Sequence, residues 1–227
     1  MDSPAASDDK TYSLSPAEIR VLGVLAEKAF LTPDAYPLSI NALTTGSNQL
    51  TAREPVLSLS EAEVQAAIDS LIALRLVSRR DQQSSRVSKY EHQLRLRHSL
   101  PPAEQAVLTV LMLRGAQTAG EIRQRSERMH RFDDIADVEA VLEHLAEKYP
   151  PLAVSLPRSP GTKETRYMHL LGGEEALEAA QESAAAGGSG GGSSRGRLGE
   201  LEEEVKRLRE EVETLKHGFE EFRRQFE

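Results

Sequence analysis

The chain has 227 residues, of which 39% are hydrophobic and 28% charged, as expected of a globular protein with one or two small domains. It contains no run of 18 apolar residues, and its N-terminus, "MDSPAASDDK", is polar and acidic. We therefore expect a cytoplasmic protein that neither crosses a membrane nor carries a secretion signal. The absence of cysteine excludes disulfides, thiolate zinc sites and a cysteine nucleophile.

The net charge of −8 is distributed unevenly along the chain. Residues 1–99 carry 11 Lys and Arg against 12 Asp and Glu, and residues 100–171 carry 9 against 10. Residues 172–227 carry 8 against 14, so most of the acidity belongs to the C-terminal part. The rest of the chain is nearly neutral, and any attraction to a charged partner must come from local patches.

An internal repeat defines the organisation of the chain. "LSPAEIRVLGVLAEKA" from Leu14 is similar to "LPPAEQAVLTVLMLRGA" from Leu100, and "SRVSKYEHQL" from Ser85 is similar to "TKETRYMHLL" from Thr162. The order of the similar segments is kept while their spacing changes, which indicates a duplicated domain whose loops have changed length.

Each copy shows three helical patterns followed by two extended runs. Capping patterns mark the helix starts: Ser15 with Glu18, Ser60 with Glu63, Thr118 with Glu121 and Asp134 with Asp137. Three helices closed by a β-hairpin make a winged helix. We predict a mainly α protein with small β-hairpins (α+β): a disordered N-terminus (1–12), winged-helix domains at 13–99 and 100–171, an Ala/Glu segment with a Gly/Ser linker (172–196) and a coiled coil (197–227).

The last thirty residues repeat apolar side chains at alternating steps of three and four, which predicts a coiled coil and a parallel homodimer. An amphipathic helix that folds back on its own protein is the alternative. The preceding "GGSGGGSSRG" is typical of a natural hinge or of an engineered spacer. The predicted dimerisation residues are Leu198, Leu201, Val205, Leu208, Val212, Leu215, Phe219, Phe222 and Phe226.

Three segments carry a family resemblance: "EKAFLTPDAYPLSINALTTGSNQLTAREPVLSLSEAEV", "LMLRGAQTAGEIRQRSERM" and "PGTKETRYMHLL". From about Leu14 to Leu171 the chain resembles the YceH-like family of uncharacterised bacterial proteins. The resemblance implies tandem winged helices and often a C-terminal coiled coil, but no established activity. Leu50 and Ala52 stand where members usually have Lys and Asn, and the missing Lys weakens nucleic-acid binding by that stretch.

Winged helices most often bind DNA by inserting the third helix into the major groove. Both third helices here are acidic, and acids at a helix start repel phosphates, so simple insertion is disfavoured. The cations lie mostly around the wings and the second helix of copy two, which predicts binding of double-stranded DNA through its backbone. The candidate nucleic-acid-binding residues are Arg53, Arg75, Arg79, Arg80, Arg86, Lys89, Arg123, Arg125, Arg128, Arg131, Arg158, Lys163 and Arg166.

The polar stretch 36–56 between the first and third helices of copy one has two interpretations. Asn41, Asn48 and Gln49 could contact base edges or a protein partner, or they could satisfy buried loop carbonyls. The repeated Tyr and His of "KYEHQL" and "RYMHLL" are expected to pack at the wing root.

No catalytic constellation, metal-ligand spacing or phosphate-binding glycine loop stands out. We therefore expect a non-enzymatic protein without cofactor or metal, acting as a regulatory or architectural DNA-binding factor in transcription regulation. The alternative is a protein-interaction scaffold that docks a partner through the acidic third helices.

Overall fold

A computed structural model describes residues 12–80, 87–158 and 164–185, which form a mixed α+β structure. None of the helices in these three ranges is long and apolar enough to cross a membrane. The helices are α1 (Pro16–Leu31), α2 (Ile40–Ser47), α3 (Glu61–Ala73), α4 (Leu94–His98), α5 (Pro102–Arg114), α6 (Ala119–Ser126), α7 (Ile135–Glu147) and α8 (Gly173–Ala185). The strands are β1 (Leu38–Ser39), β2 (Val77–Arg80), β3 (Lys89–His92), β4 (Gln117–Thr118), β5 (Ala153–Ser155) and β6 (Arg166–His169).

The two predicted copies have the same element order, and we call residues 13–99 module 1 and residues 100–171 module 2. The order α1, β1, α2, α3, β2 and β3 of module 1 recurs in module 2 as α5, β4, α6, α7, β5 and β6, and module 1 ends with the additional helix α4, which leads into module 2. This order agrees with the predicted winged helix.

The sheets differ from the prediction of two-stranded hairpins. Each is three-stranded and antiparallel, in the orders β1-β3-β2 and β4-β6-β5. The extra strand is two residues long in both modules, and it pairs Leu38 with Tyr90 in module 1 and Gln117 with Tyr167 in module 2. Two residues are too few for a period-two pattern, so the sequence carries no strand signal at these positions.

The predicted helix starts are confirmed. Ser15, Ser60, Thr118 and Asp134 each accept a hydrogen bond from the backbone N–H three residues on, and the acid at that position accepts one from the capping residue's own N–H. Each capping box satisfies two of the backbone donors that a helix start leaves unpaired.

The central helices α1 and α5 are buried on all sides, and they pack against each other. Residues 19–26 of α1 and residues 104–113 of α5 are all buried, including Arg20 and Glu104. A helix that is buried around its whole circumference has to be enclosed by other elements. The two modules therefore share one continuous hydrophobic core.

The connector between α2 and α3 in module 1 is fastened to this core. Helices α1 and α5 begin 86 residues apart, whereas α3 and α7 begin 74 apart, so module 1 has 12 more residues in this region. The guanidinium of Arg20 donates to the carbonyls of Ser47 and Pro55 at 3.0 and 2.5 Å. The backbone N–H of Glu54 donates to the carbonyl of Leu113 in α5 at 2.8 Å, so the connector also contacts module 2.

The predicted boundary of the N-terminal segment is wrong at Tyr12. The sequence places this residue in a disordered N-terminus (1–12), but its hydroxyl is hydrogen-bonded to Nε2 of His98. The next residues continue the attachment, because Ser13 Oγ donates to the carbonyl of Gly172 and Leu14 N–H to that of Leu171, at 2.9 and 2.8 Å. Residues 1–11 lie outside the described ranges.

The packing of α1 on α5 leaves no room for a side chain at Gly23. A Cβ there would lie 2.9 Å from Cδ2 of Leu113, which is itself buried. We expect Gly23→Ala to lower the free energy of unfolding by up to about 2 kcal/mol, because overpacking outweighs the gain in helix propensity.

Gly120 in α6 is the matched control for this change. Its Cβ would meet only Oγ1 of Thr118, at 4.0 Å, and the residue is exposed. We expect Gly120→Ala to raise the free energy of unfolding by about 0.5–1 kcal/mol. Chemical denaturation measures both, and a stabilising Gly23→Ala would contradict the close approach of the two helices.

Candidate nucleic-acid interface

Helix α6 is oriented by its first turn. Thr118 is both the end of β4 and the N-cap of α6, and its Oγ1 accepts from the N–H of Glu121 at 3.2 Å. The strand pairing with β6 therefore places the start of α6 beside β6. We call the β2–β3 pair of module 1 and the β5–β6 pair of module 2, with the described residues between their strands, the wings of the two modules. Arg123 and Arg125 lie in the last turn of this short helix.

The loop between α6 and α7 is closed by Arg123. Its Nε donates to the carbonyl of Phe132 at 3.3 Å, and one terminal nitrogen donates to the carbonyl of Asp133 at 2.7 Å. The ring of Phe132 is buried, and it stacks edge-on against His130 with ring centres 4.6 Å apart. This anchoring leaves Arg128 and Arg131 exposed on the loop.

Two adjoining cavities connect this loop to the wing of module 2. The first has a volume of about 320 Å³ and is lined by Arg123 and Arg131, and the second has a volume of about 260 Å³ and is lined by Arg158. Gly120 and Ile135 line both cavities. Loop and wing therefore form one surface, which we call the α6–wing face and which includes Gly120, Arg123, Gln124, Arg131, Ile135, Arg158 and Tyr167. Arg128 lines neither cavity but is exposed on the same loop.

The α6–wing face includes residues that no sequence pattern indicated. Two of them, Gly120 and Gln124, are uncharged residues that line the first cavity. A third is Ile135, the first residue of α7, whose side chain is 46% exposed. The available signal was an isoleucine directly after a capping aspartate, a position where the helix pattern does not require a buried side chain. Cavity walls are a tertiary property, so spacing along the chain did not reveal them.

Acids divide the α6–wing face. Glu139 and Glu164 line the second cavity, and Glu127 lines the first. Asp134 and Asp137 are occupied in the capping box at the start of α7. The exposed arginines therefore flank an acidic α7, in agreement with the acidic third helix that the sequence predicts.

Two other candidates in module 2 share one carboxylate. Arg125 lies 3.6 Å and Arg166 3.9 Å from the carboxylate oxygens of Glu121. Arg166 also donates to the carbonyl of Ala116 at 2.9 Å. Both are half-buried, and their charge is partly neutralised within the module.

The wing of module 2 contributes one described candidate that stays exposed. This residue is Arg158, whose Nε donates to Thr165 Oγ1 at 3.1 Å. Lys163 lies outside the described residues.

The wing of module 1 carries a different charge arrangement. Arg80 forms an ion pair with Glu91 at 2.8 Å while its side chain stays 64% exposed. Arg75 and Arg79 are exposed and Lys89 is half-buried, whereas Arg86 lies outside the described residues.

Arg53 does not belong to a nucleic-acid interface, and its prediction as a DNA-binding residue is wrong. Its side chain is fully buried, and its two terminal nitrogens donate to the Glu27 carboxylate at 3.1 and 2.6 Å. Its Nε donates to the carbonyl of Gly46 at 3.1 Å. A guanidinium enclosed by a carboxylate and carbonyls cannot reach a phosphate. It holds the connector against α1 instead.

The polar candidates of the same stretch separate into two groups. The side-chain amide of Asn48 forms two hydrogen bonds with the backbone of Leu59: its Nδ2 donates to the carbonyl and its Oδ1 accepts from the N–H, both at 2.7 Å. Asn48 therefore has the structural role that was one of its two interpretations. Asn41 is exposed, and its Nδ2 lies 3.5 Å from Oε1 of Glu61. Gln49 is half-buried.

The repeated Tyr and His are placed at the sheets. His169 is buried, and burial lowers its pKa to about 4. Burial also lowers the pKa of His92 to about 4, and its Nε2 lies 3.2 Å from Nε2 of Gln105 in α5. Tyr90 is buried, whereas Tyr167 is half-buried and lines the second cavity. Both histidines are thus neutral packing groups at neutral pH, as expected for a wing root.

The predicted coiled coil (197–227) lies outside the described residues, as does the Gly/Ser part of the linker. The Ala/Glu segment before it forms α8, of which Gly173–Ala185 is described.

Two similar three-helix modules, each with a three-stranded antiparallel sheet and joined by a shared core, define an α+β protein of the tandem-module class. A family model described as "Protein of unknown function, DUF480" matches residues 14–162, and the chain belongs to this family. This agrees with the YceH-like resemblance of the sequence.

Curated relatives extend over nearly the whole chain. A UPF0502 protein of Azoarcus sp. is 74% identical over 227 residues and covers 100% of both chains. A UPF0502 protein of Aromatoleum aromaticum is 66% identical over 208 residues, covering 92% of this chain and 91% of its own. One of Vibrio parahaemolyticus is 49% identical over 208 residues, covering 89% and 94%. The names of these relatives give no activity.

The buried pair of Arg53 and Glu27 predicts a stability effect. We expect Arg53→Gln to lower the free energy of unfolding by about 3–5 kcal/mol, because it leaves a carboxylate and carbonyls without a partner. The control Arg75→Gln removes an exposed arginine and should change the free energy of unfolding by no more than about 0.5 kcal/mol. Chemical denaturation tests both variants, and equal effects would contradict the structural role of Arg53.

Proposed function

We propose that each module is a winged helix and that the protein binds double-stranded DNA, with module 2 as its main contact surface. The observation that carries the proposal is the α6–wing face, where exposed arginines of the loop and of the wing lie on one surface. In this arrangement Arg128, Arg131 and Arg158 contact phosphates. Such contacts supply affinity and orientation with little reading of sequence.

The acidity of α7 determines how a duplex would approach. Asp137 and Glu139 near its start would repel phosphates if α7 entered the major groove. The arginines on either side attract them instead. We infer that the duplex is held from its backbone by the α6–α7 loop and the wing, while α7 stays outside the groove.

The two modules would contribute unequally to this binding. In module 1 Arg53 is buried and Arg80 is paired with Glu91, and α2 carries no charged residue. In module 2 Arg131 and Arg158 line the α6–wing face, and Arg128 is exposed on the same loop. A regulatory or architectural role in transcription fits binding of this kind, in a cytoplasmic homodimer.

Charge removal on the α6–wing face tests the proposal. We expect the variant with Arg128→Gln, Arg131→Gln and Arg158→Gln to bind a short duplex at least about tenfold more weakly at about 50 mM salt. The salt dependence, plotted as log K against log salt, should flatten by about 0.9 for each phosphate that the variant no longer binds. Fluorescence anisotropy of a labelled duplex measures both quantities. Arg123 is left unchanged because it closes the α6–α7 loop.

A single-charge pair controls for net charge. Arg131→Gln should flatten the salt dependence by about 0.9, whereas Arg95→Gln, an exposed change on α4, should leave it unaltered. Equal effects of the two would mean that binding follows net charge rather than this face. Absence of binding by the unaltered protein at about 50 mM salt would reject the DNA proposal and favour a scaffold that docks a protein on the acidic third helices.

We further propose that the heptad repeat of residues 197–227 makes the protein a parallel homodimer. Light scattering should show a dimer for the full chain and a monomer for a chain that ends at Ala185. The shortened chain keeps α8 because this helix begins beside the N-terminal segment, and its removal could disturb that attachment. The two are so close that a Cβ at Gly173 would lie 2.6 Å from Oγ of Ser13. A shortened chain that still scatters as a dimer would place the association in the modules.

A further inference from the structure

A second kind of cavity lies away from the α6–wing face, at the junction of the two modules. Its volume is about 320 Å³, within the range of small-molecule sites. The N-terminal segment, α4, the turn before β5, the end of β6 and α8 all contribute to its wall. Its apolar part is formed by Leu152, Leu170, Leu171 and Leu177 together with two prolines.

Few polar side chains face this cavity. Tyr12 and His98 line it and are bonded to each other through Oη and Nε2. Burial raises the pKa of Tyr12 above its ordinary value, so its hydroxyl is neutral at neutral pH. The phenolic oxygen has two lone pairs, and the bond to His98 uses at most one of them, so this oxygen can accept a hydrogen bond from a ligand. The other acceptor is the carboxylate of Glu174, which is exposed at the rim.

These walls define the chemistry of a matching ligand. Leucine and proline walls favour an apolar body, and an aromatic ring supplies a large contact area at little entropic cost. An anion would be repelled by Glu174, and a cation would have to leave water for an apolar wall. Acceptors on the protein require a donor on the ligand.

We propose that this junction cavity binds a small, neutral aromatic molecule that carries one N–H or O–H donor, with the donor directed at the oxygen of Tyr12. The site is independent of the DNA proposal, since it shares no residue with the α6–wing face. It connects α4, which joins the modules, with α8, which precedes the C-terminal heptads in the chain. A bound ligand therefore holds the N-terminal segment, module 2 and α8 together.

Two neutral probes test the proposal on the full-length protein. The fluorophore 1-aminoanthracene has an apolar ring system and one amine donor, and indole has a ring N–H. We expect saturable 1:1 binding of 1-aminoanthracene with a blue-shifted emission, and displacement by indole with a Kd of about 0.1–1 mM, as befits a ligand of this size. Indole should also raise the melting temperature at saturating concentrations.

Paired variants locate the binding. Leu177→Trp fills the cavity and should abolish fluorophore binding, whereas Leu96→Trp, on a leucine that is 81% exposed, should leave it unchanged. Tyr12→Phe removes only the hydroxyl and should weaken indole binding by about 2- to 10-fold, the value of one hydrogen bond. Melting curves without ligand confirm that each variant is folded.

Several results would overturn the proposal. Unaltered binding in Leu177→Trp would place the probe elsewhere, and unaltered indole affinity in Tyr12→Phe would remove the donor requirement. Binding that appears only after deletion of residues 1–11 would mean that this segment of the chain occupies the cavity. If the affinity for the fluorophore fell as the protein concentration rose, a second copy of the protein would be covering the cavity.

Discussion

The packing of α1 against α5 is the constraint on which the rest of the described structure depends. Each helix is the central element of its module, and each is enclosed by its own module on one side and by the other module on the other. Gly23 allows the two helices to approach closely, since a Cβ at this position would touch Leu113. The burial of both helices removes the freedom that a flexible connection would give two separate modules. The modules therefore present their outer faces in a fixed relation within residues 12–185.

The connector of module 1 is best understood as a consequence of this packing. The 12 additional residues of module 1 lie between α1 and α3, where they add cover over α1 through the bond from Arg20 to the Pro55 carbonyl. Their polar character suggested a surface that reads a partner. Instead, Arg53 is buried against Glu27, and the Glu54 N–H bonds the last turn of α5. Polar residues are required there because a loop that enters the interior must satisfy its backbone groups.

Local features of this fold were predictable, and features that depend on tertiary packing were not. The capping boxes at Ser15 and Asp134 were identified because they involve residues three apart. The strands β1 and β4 were missed because their pairing with β3 and β6 spans about 50 residues of chain and leaves no pattern in two residues. The candidate site shows the same limit: the sequence gives no means of separating an exposed Arg128 from a buried Arg53, and only packing distinguishes them.

Under the proposed function, the two modules divide two tasks that a single winged helix would combine. Module 1 keeps Arg75 and Arg79 exposed but uses two other arginines inside the protein: Arg20 binds the carbonyls of Ser47 and Pro55, and Arg53 binds Glu27. Buried guanidinium groups of this kind are desolvated and fixed in position. They stabilise the interior of the protein and are not accessible to an outside partner. Module 2 retains arginines at the loop and wing, where solvated side chains suit phosphates whose positions vary between duplex sequences. On this basis we infer that module 1 stabilises the pair of central helices, and that the interaction surface proposed for the protein belongs mainly to module 2.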